Sequence, residues 1–168
     1  MHSIAIKINV SSKEQEKIRN LLESVGETHK HPKFHCTVGF IEKIPSKDEA
    51  MALGEQIVTA LQDHIHPHFP LYEVEAATLL FGHVMAFTPT LQSEKELKDL
   101  NLWLFKKAED ISGGLFSLDK TTAPQNYIPH MTLWHTRHLD KRFRKLEEVI
   151  KHHPTYCLSD AAYVVFTQ

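Results

Sequence analysis

The sequence predicts an α+β protein built as two similar lobes that face one cleft. Strand-like and helix-like hydrophobic periods interleave along the 168 residues in the order β-α-β-α-β-β-α-β-α-β. The tripeptide His-x-Thr occurs twice, within "HCTVGF" at 35–40 and "HMTLWH" at 130–135. Each copy has a helix before it and another helix behind it, begun at nearly the same distance. A chance match of two tripeptides would not bring such surroundings along. Residues 1–168 are therefore read as a single bilobal domain, long enough to bury a sizeable core.

The elements follow in order. "HSIAIKINV" alternates, with Ile4, Ile6, Ile8 and Val10 on one face, and is expected to be a strand. Ser11 and Glu14 make a capping-box pattern ahead of a helix with Ile18, Leu21, Leu22 and Val25 on one stripe. Gly26 ends it, and a loop containing "HKH" at 29–31 leads to the β-type run "KFHCTVGFI". Behind Pro45, Ser46 and Glu49 open a helix carrying Ala50, Leu53, Ile57 and Leu61 inward. "LYEVEAATLLF" and "HVMAFTPT" read as a hairpin turning near Gly82. A third box, Ser93 with Glu96, is expected to start a helix with Leu97, Leu100, Leu104, Ala108 and Ile111 on one face. A loop rich in Gly, Thr and Pro runs from Ser112 to about Pro124. "YIPHMTLWH", a helix from Asp140 and a final strand within "CLSDAAYVVF" complete the chain.

Composition narrows the function. With 19 Lys and Arg against 21 Asp and Glu, the formal charge is −2. A protein that grips long nucleic acid shows a basic surplus, because affinity comes largely from neutralising phosphates. A nucleic-acid substrate here is expected to be small or held by one end. Two cysteines, Cys36 and Cys157, make no disulfide framework. The start carries no signal-peptide pattern and nothing reaches the roughly 20 apolar residues a bilayer requires. A cytoplasmic monomer with no membrane partner is the expectation.

On a strand, His35 and Thr37 point one way, as do His130 and Thr132. Such neighbours are about 7 Å apart at the backbone, so an imidazole and a hydroxyl both reach one tetrahedral phosphate. The opposite faces carry Cys36, Val38 and Phe40, and Met131, Leu133 and His135; all are core types except His135. Two histidines suit acid-base work near neutral pH, since their ordinary pKa is about 6.5. One takes a proton from the attacking oxygen and the other delivers one to the leaving oxygen, with no metal needed. The hydroxyls stabilise charge on the nonbridging oxygens. A lone His-x-Thr would say little; the matched pair carries the reading.

At these residues the chain resembles the two-histidine (2H) phosphoesterase superfamily, which includes cyclic nucleotide phosphodiesterases and 2′-5′ RNA ligase-like proteins. "YIPHMTLWH" matches the family pattern well, including Pro129 and Leu133; in "PKFHCTVGF" Phe34 replaces the frequent proline and Val38 and Gly39 follow the threonine. The resemblance implies two pseudo-symmetric lobes, each a mainly antiparallel sheet with helices packed outside and a central cleft. It also implies hydrolysis or transesterification at a 2′,3′-cyclic phosphate or 2′-5′ linkage without cofactor or metal. His35 and His130 would be the catalytic pair, and Thr37 and Thr132 the phosphate ligands. Substrates would be a nucleotide or short oligonucleotide.

Around these four, Trp134 is expected on the His130 face, as a stacking platform for a base or as lobe packing. Tyr127 is a candidate phosphate donor; Lys7, Asn9 and Arg137 are either cleft residues or, the favoured reading, simply solvated. Two rivals stand beside the catalytic reading. "HIHPH" sets His64, His66 and His68 at alternating positions, a possible metal set that lacks a recognised companion cluster beyond Asp63. The second rival is the same fold holding a nucleotide or RNA end without turnover, and a 2′-5′ RNA ligase is the remaining alternative.

Overall fold

The computed structural model describes residues 1–28 and 33–167. The "HKH" run lies outside the described residues. In chain order the elements are β1 (His2–Val10), α1 (Ser12–Ser24), β2 (His35–Ile44), α2 (Lys47–Ile65), β3 (Leu71–Leu80) and β4 (Val84–Pro89), then α3 (Leu91–Ser112), β5 (Met131–His135), α4 (Lys141–Val149) and β6 (Thr155–Thr167). This is the expected order.

The capping chemistry accounts for most of the helix starts. Ser46 accepts the Glu49 amide at 3.2 Å, and Asp140 accepts the Arg142 amide at 2.8 Å. At α1 the Ser11 hydroxyl instead donates to the Glu14 carboxylate at 3.0 Å. The third box is a correction. Thr90 is the N-cap, and α3 begins two residues ahead of Ser93's position. Ser93 is buried because its hydroxyl serves β3, accepting the Glu73 amide and donating to the Leu71 carbonyl, each at 2.9 Å.

The six strands pair antiparallel in the closed order β1-β2-β5-β4-β3-β6. β6 joins the two halves at one side: Thr155, Tyr156 and Cys157 pair with β3, and Leu158 to Thr167 pair with β1. At the other side β2 meets β5 at Cys36↔Met131. Beyond that point β2 takes a loop as its neighbour, with Ile41 bridged to Leu118 and the Asp119 amide donating to the Phe40 carbonyl at 2.8 Å. The seam between the halves therefore opens just past the motifs.

One face of the strands forms the core with the helices. Ile4, Ile6, Ile8, Cys36, Ile41, Tyr72, Val74, Met85, Phe87 and Met131 on that face are fully buried. α2 packs across β1 and β6, with Gly54 directly against the Tyr163 ring. Burial of this apolar area, at about 25 cal/mol per Å², is the main favourable term in folding.

Two bulges sit at equivalent places. Ile6 pairs with Gly39 but Lys7 with Thr37, which leaves Val38 unopposed. Met85 pairs with Trp134 but Ala86 with Thr132, which leaves Leu133 unopposed. In each half, the extra residue directly follows the motif threonine. An extra residue reverses the in-out alternation beyond it. Phe40 and His135 are thereby moved off the core side, and Trp134 is moved onto it.

Among the described residues, no helix is long and apolar enough to cross a membrane.

Candidate active site

The Cys36↔Met131 pair sets the geometry of the motifs. One ladder position either way, Thr37 lies across from His130 and His35 across from Thr132. Cys36 and Met131 are both fully buried. The four motif side chains therefore occupy the opposite face, where all four are half-buried. The two histidines are diagonal neighbours, a relation that puts backbones about 7–8 Å apart.

Each imidazole is held the same way. His35 Nδ1 lies 2.9 Å from the Lys33 carbonyl, and His130 Nδ1 lies 2.8 Å from the Ile128 carbonyl. A carbonyl only accepts, so Nδ1 carries the hydrogen in both rings and Nε2 is the nitrogen left for chemistry. Burial pushes the His35 pKa below its ordinary value. The bond to the Lys33 carbonyl opposes this, and the charges of Lys7 and His130 add to the lowering. His35 is thus biased to the neutral form, with a free lone pair on Nε2.

A cavity of about 430 Å³ opens on this face, lined by Thr37, His130 and Thr132 together with Phe40, Phe81, His83 and Asn126. His35 is not among its lining residues; it stands across the ladder from Thr132. Lys7 is opposite Thr37 and Asn9 opposite His35 on β1, so both belong to this face. Asn9 is buried, and its Oδ1 has no hydrogen-bond partner among the described residues. Arg137 is exposed beyond the end of β5.

Two expectations are corrected. Trp134 does not share the face of His130 and Thr132. The bulge at Leu133 turns it to the core opposite Met85, where it is 4% exposed and covered by the Arg142 guanidinium at 5.1 Å. It packs rather than offering a free ring. Tyr127 borders the cavity, but its hydroxyl donates to the Thr37 carbonyl at 2.8 Å and lies 3.7 Å from Cys36 Sγ. Burial raises the phenol pKa well above its usual range. That bond ties the approach to β5 onto the other motif and engages the hydroxyl that was expected to donate to phosphate. Cys36 is a core residue, its thiol pushed up to about 11 by burial.

Sequence reasoning missed Phe40 and His135, because alternation assigns both to the core side. It also missed two buried amides that brace the motif strand. Asn101 Nδ2 donates to the Val38 carbonyl at 2.7 Å and to the Thr122 carbonyl at 2.8 Å. Gln15 donates to the Val10 and Phe34 carbonyls at 3.0 and 2.8 Å and accepts the Phe34 amide at 2.7 Å. Each interrupts the apolar stripe of its helix, beside Ile18 or between Leu97 and Leu104. A polar side chain on a buried stripe was the available signal.

The "HIHPH" histidines lie elsewhere. His64 stacks on Trp103 with centroids 4.8 Å apart, and His66 meets Phe69 edge-on at 5.7 Å. His64 and His68 border a separate cavity of about 380 Å³ at the end of α2, with Glu96 and Asp99. Among the described residues, no group of three His, Cys, Asp or Glu is placed to hold a metal ion.

No protein-family model matches the chain, and no curated protein matches it. Solved structures do. The chain is similar to the ns2 PDE domain of MHV, at 12% identity and a TM-score of 0.61, over 99% of this chain and 100% of that one. It is also similar to Usb1 of Kluyveromyces marxianus, solved with uridine monophosphate, at 11% identity and a TM-score of 0.53, over 99% and 95% of the two chains. The chain shares its fold with these two structures. At these identities the likeness speaks for architecture, and function has to be argued from the site.

Proposed function

We propose that the protein is a metal-independent phosphodiesterase of RNA or nucleotides, acting on a 2′,3′-cyclic phosphate or a 2′-5′ phosphodiester. The observation that carries this is the cross-strand placement of the two His-Thr pairs on one half-buried face, each imidazole tied through Nδ1. His35, biased to the neutral form, takes the proton of the attacking oxygen on Nε2. As the new P–O bond forms and the old one breaks, His130 delivers its Nε2 proton to the leaving oxygen. Thr37 and Thr132 donate to the nonbridging oxygens, where charge grows. The cavity, about 430 Å³, suits a nucleotide or the end of a short oligonucleotide. The PDE designation of one structural relative and the nucleotide bound to the other support the same reading.

The test is turnover of 2′,3′-cyclic nucleotides and 2′-5′-linked dinucleotides by wild type, His35→Ala and His130→Ala. Each variant is expected to lose about 10²- to 10⁴-fold in kcat, the usual worth of one general acid or base. Circular dichroism should show the fold retained. Near-normal kcat in either variant, or tight binding of the whole panel without turnover by wild type, would overturn the proposal.

A further inference from the structure

The two bulges place unlike side chains at equivalent positions. In β2 the shifted register brings Phe40 to the cleft, where its ring centroid lies 6.3 Å from that of Phe166. In β5 it turns His135 to the surface, where its ring lies nearly parallel to that of the cavity-lining His83, at 6.1 Å and 16°. One flank of the cleft is therefore aromatic hydrocarbon and the other is His83, with His135 stacked beside it.

Three features direct the imidazole flank toward an anion. His83 borders the same cavity as His130 and Thr132. Its Nδ1–H donates to the Phe81 carbonyl at 2.9 Å, two residues back along the chain, which is the arrangement found in both motif histidines. Nε2 is then the free nitrogen, and in the protonated ring it presents an N–H to an acceptor. The Thr136 amide donates to the His83 carbonyl at 3.0 Å, which fixes the two histidines to each other through the backbone. Three residues along β5 separate Thr132 from His135, about 10 Å at the usual rise. One nucleotide unit spans that gap once side-chain reach is included. Phe81 lines the same cavity, its ring edge-on to His130 at 5.5 Å and more than half exposed.

We propose that His83 and His135 hold a second phosphate beside the one gripped by the motif residues, so that the preferred substrate is an oligonucleotide rather than a mononucleotide. This rests on the catalytic reading of the cleft. The experiment is calorimetric titration, in the presence of a chelator, of adenosine 2′-monophosphate and adenosine 2′,5′-bisphosphate into wild type, His83→Gln and His135→Gln. Wild type should bind the bisphosphate about fivefold or more tighter, the worth of one charge-assisted hydrogen bond. Either substitution should bring the ratio of the two Kd values to about one. Equal affinities in wild type, or an advantage that survives both substitutions, would overturn the second subsite while leaving the catalytic reading intact. Failure of both nucleotides to bind, with no turnover of the wider panel, would overturn both.

Discussion

Replacing Asn101 tests how the motif strand is braced. Its amide gives one hydrogen to the Val38 carbonyl and one to the Thr122 carbonyl. Val38 is the bulged residue, without a partner in the β1 ladder, and Thr122 belongs to the loop that replaces β5 along the rest of β2. Both residues are buried. A buried carbonyl deprived of its donor costs about 1–3 kcal/mol, so losing both is expected to cost about 2–5 kcal/mol. That is a large share of the roughly 5–15 kcal/mol that holds a domain together. At about 2–4 °C per kcal/mol for a chain of this size, the melting temperature should fall by about 4–20 °C. Scanning calorimetry of Asn101→Ala and Asn101→Leu reads this directly. The leucine variant matters most, because it keeps the branched shape and removes the amide without opening a cavity. Val38 adjoins Thr37, so KM should also rise. A leucine variant that melts within about 2 °C of wild type would show that the hydrogen bonds are not what steadies the bulge.

Other expectations follow from the same geometry. The acid limb of kcat/KM against pH should have its midpoint below 6.5, because burial and the charges of Lys7 and His130 depress His35; Lys7→Met should move that midpoint upward, and a limb at or above 6.5 would contradict His35 as the base. The same depression means the folded state takes up the His35 proton less readily than the unfolded chain. Its contribution to stability is therefore full above about 6.5 and is lost as pH falls from there through the folded value, a slope that His35→Gln should flatten in denaturation measured across that window. Tyr127→Phe removes the bond to the Thr37 carbonyl and should cost about 1 kcal/mol with a few-fold rise in KM; a hundredfold fall in kcat would instead place the hydroxyl on the phosphate. Gly54→Ala improves helix propensity by about 1 kcal/mol, but the new methyl would stand 2.5–2.7 Å from the body of the Tyr163 ring. Overpacking of that kind costs about 1–3 kcal/mol, so melting should drop rather than rise.

Much of the fold was legible in the chain. The order of elements, the hairpin at Gly82 and the caps at Ser46 and Asp140 all come from local chemistry: the two hydrophobic periods, a glycine suited to a turn, and side chains that satisfy free amides. The shared direction of His35 with Thr37, and of His130 with Thr132, is equally local, since each pair lies on the near side of its bulge. The start of α3 was misplaced because Thr90 and Ser93 are both competent caps. Only the neighbouring β3 backbone shows that Ser93 is engaged elsewhere.

What the residues determined by themselves was two amphipathic motif strands, each able to present an imidazole and a hydroxyl on one side. Tertiary structure alone decided that the two strands pair at Cys36 and Met131, which makes one face of two. It also decided where Phe40, Trp134 and His135 point. A strand's alternation is written in its own residues, but a bulge exists only against a partner strand, and the carbonyl it releases is answered by Asn101, 63 residues further along the chain. Such long-range hydrogen bonding leaves little trace in a local hydrophobic pattern.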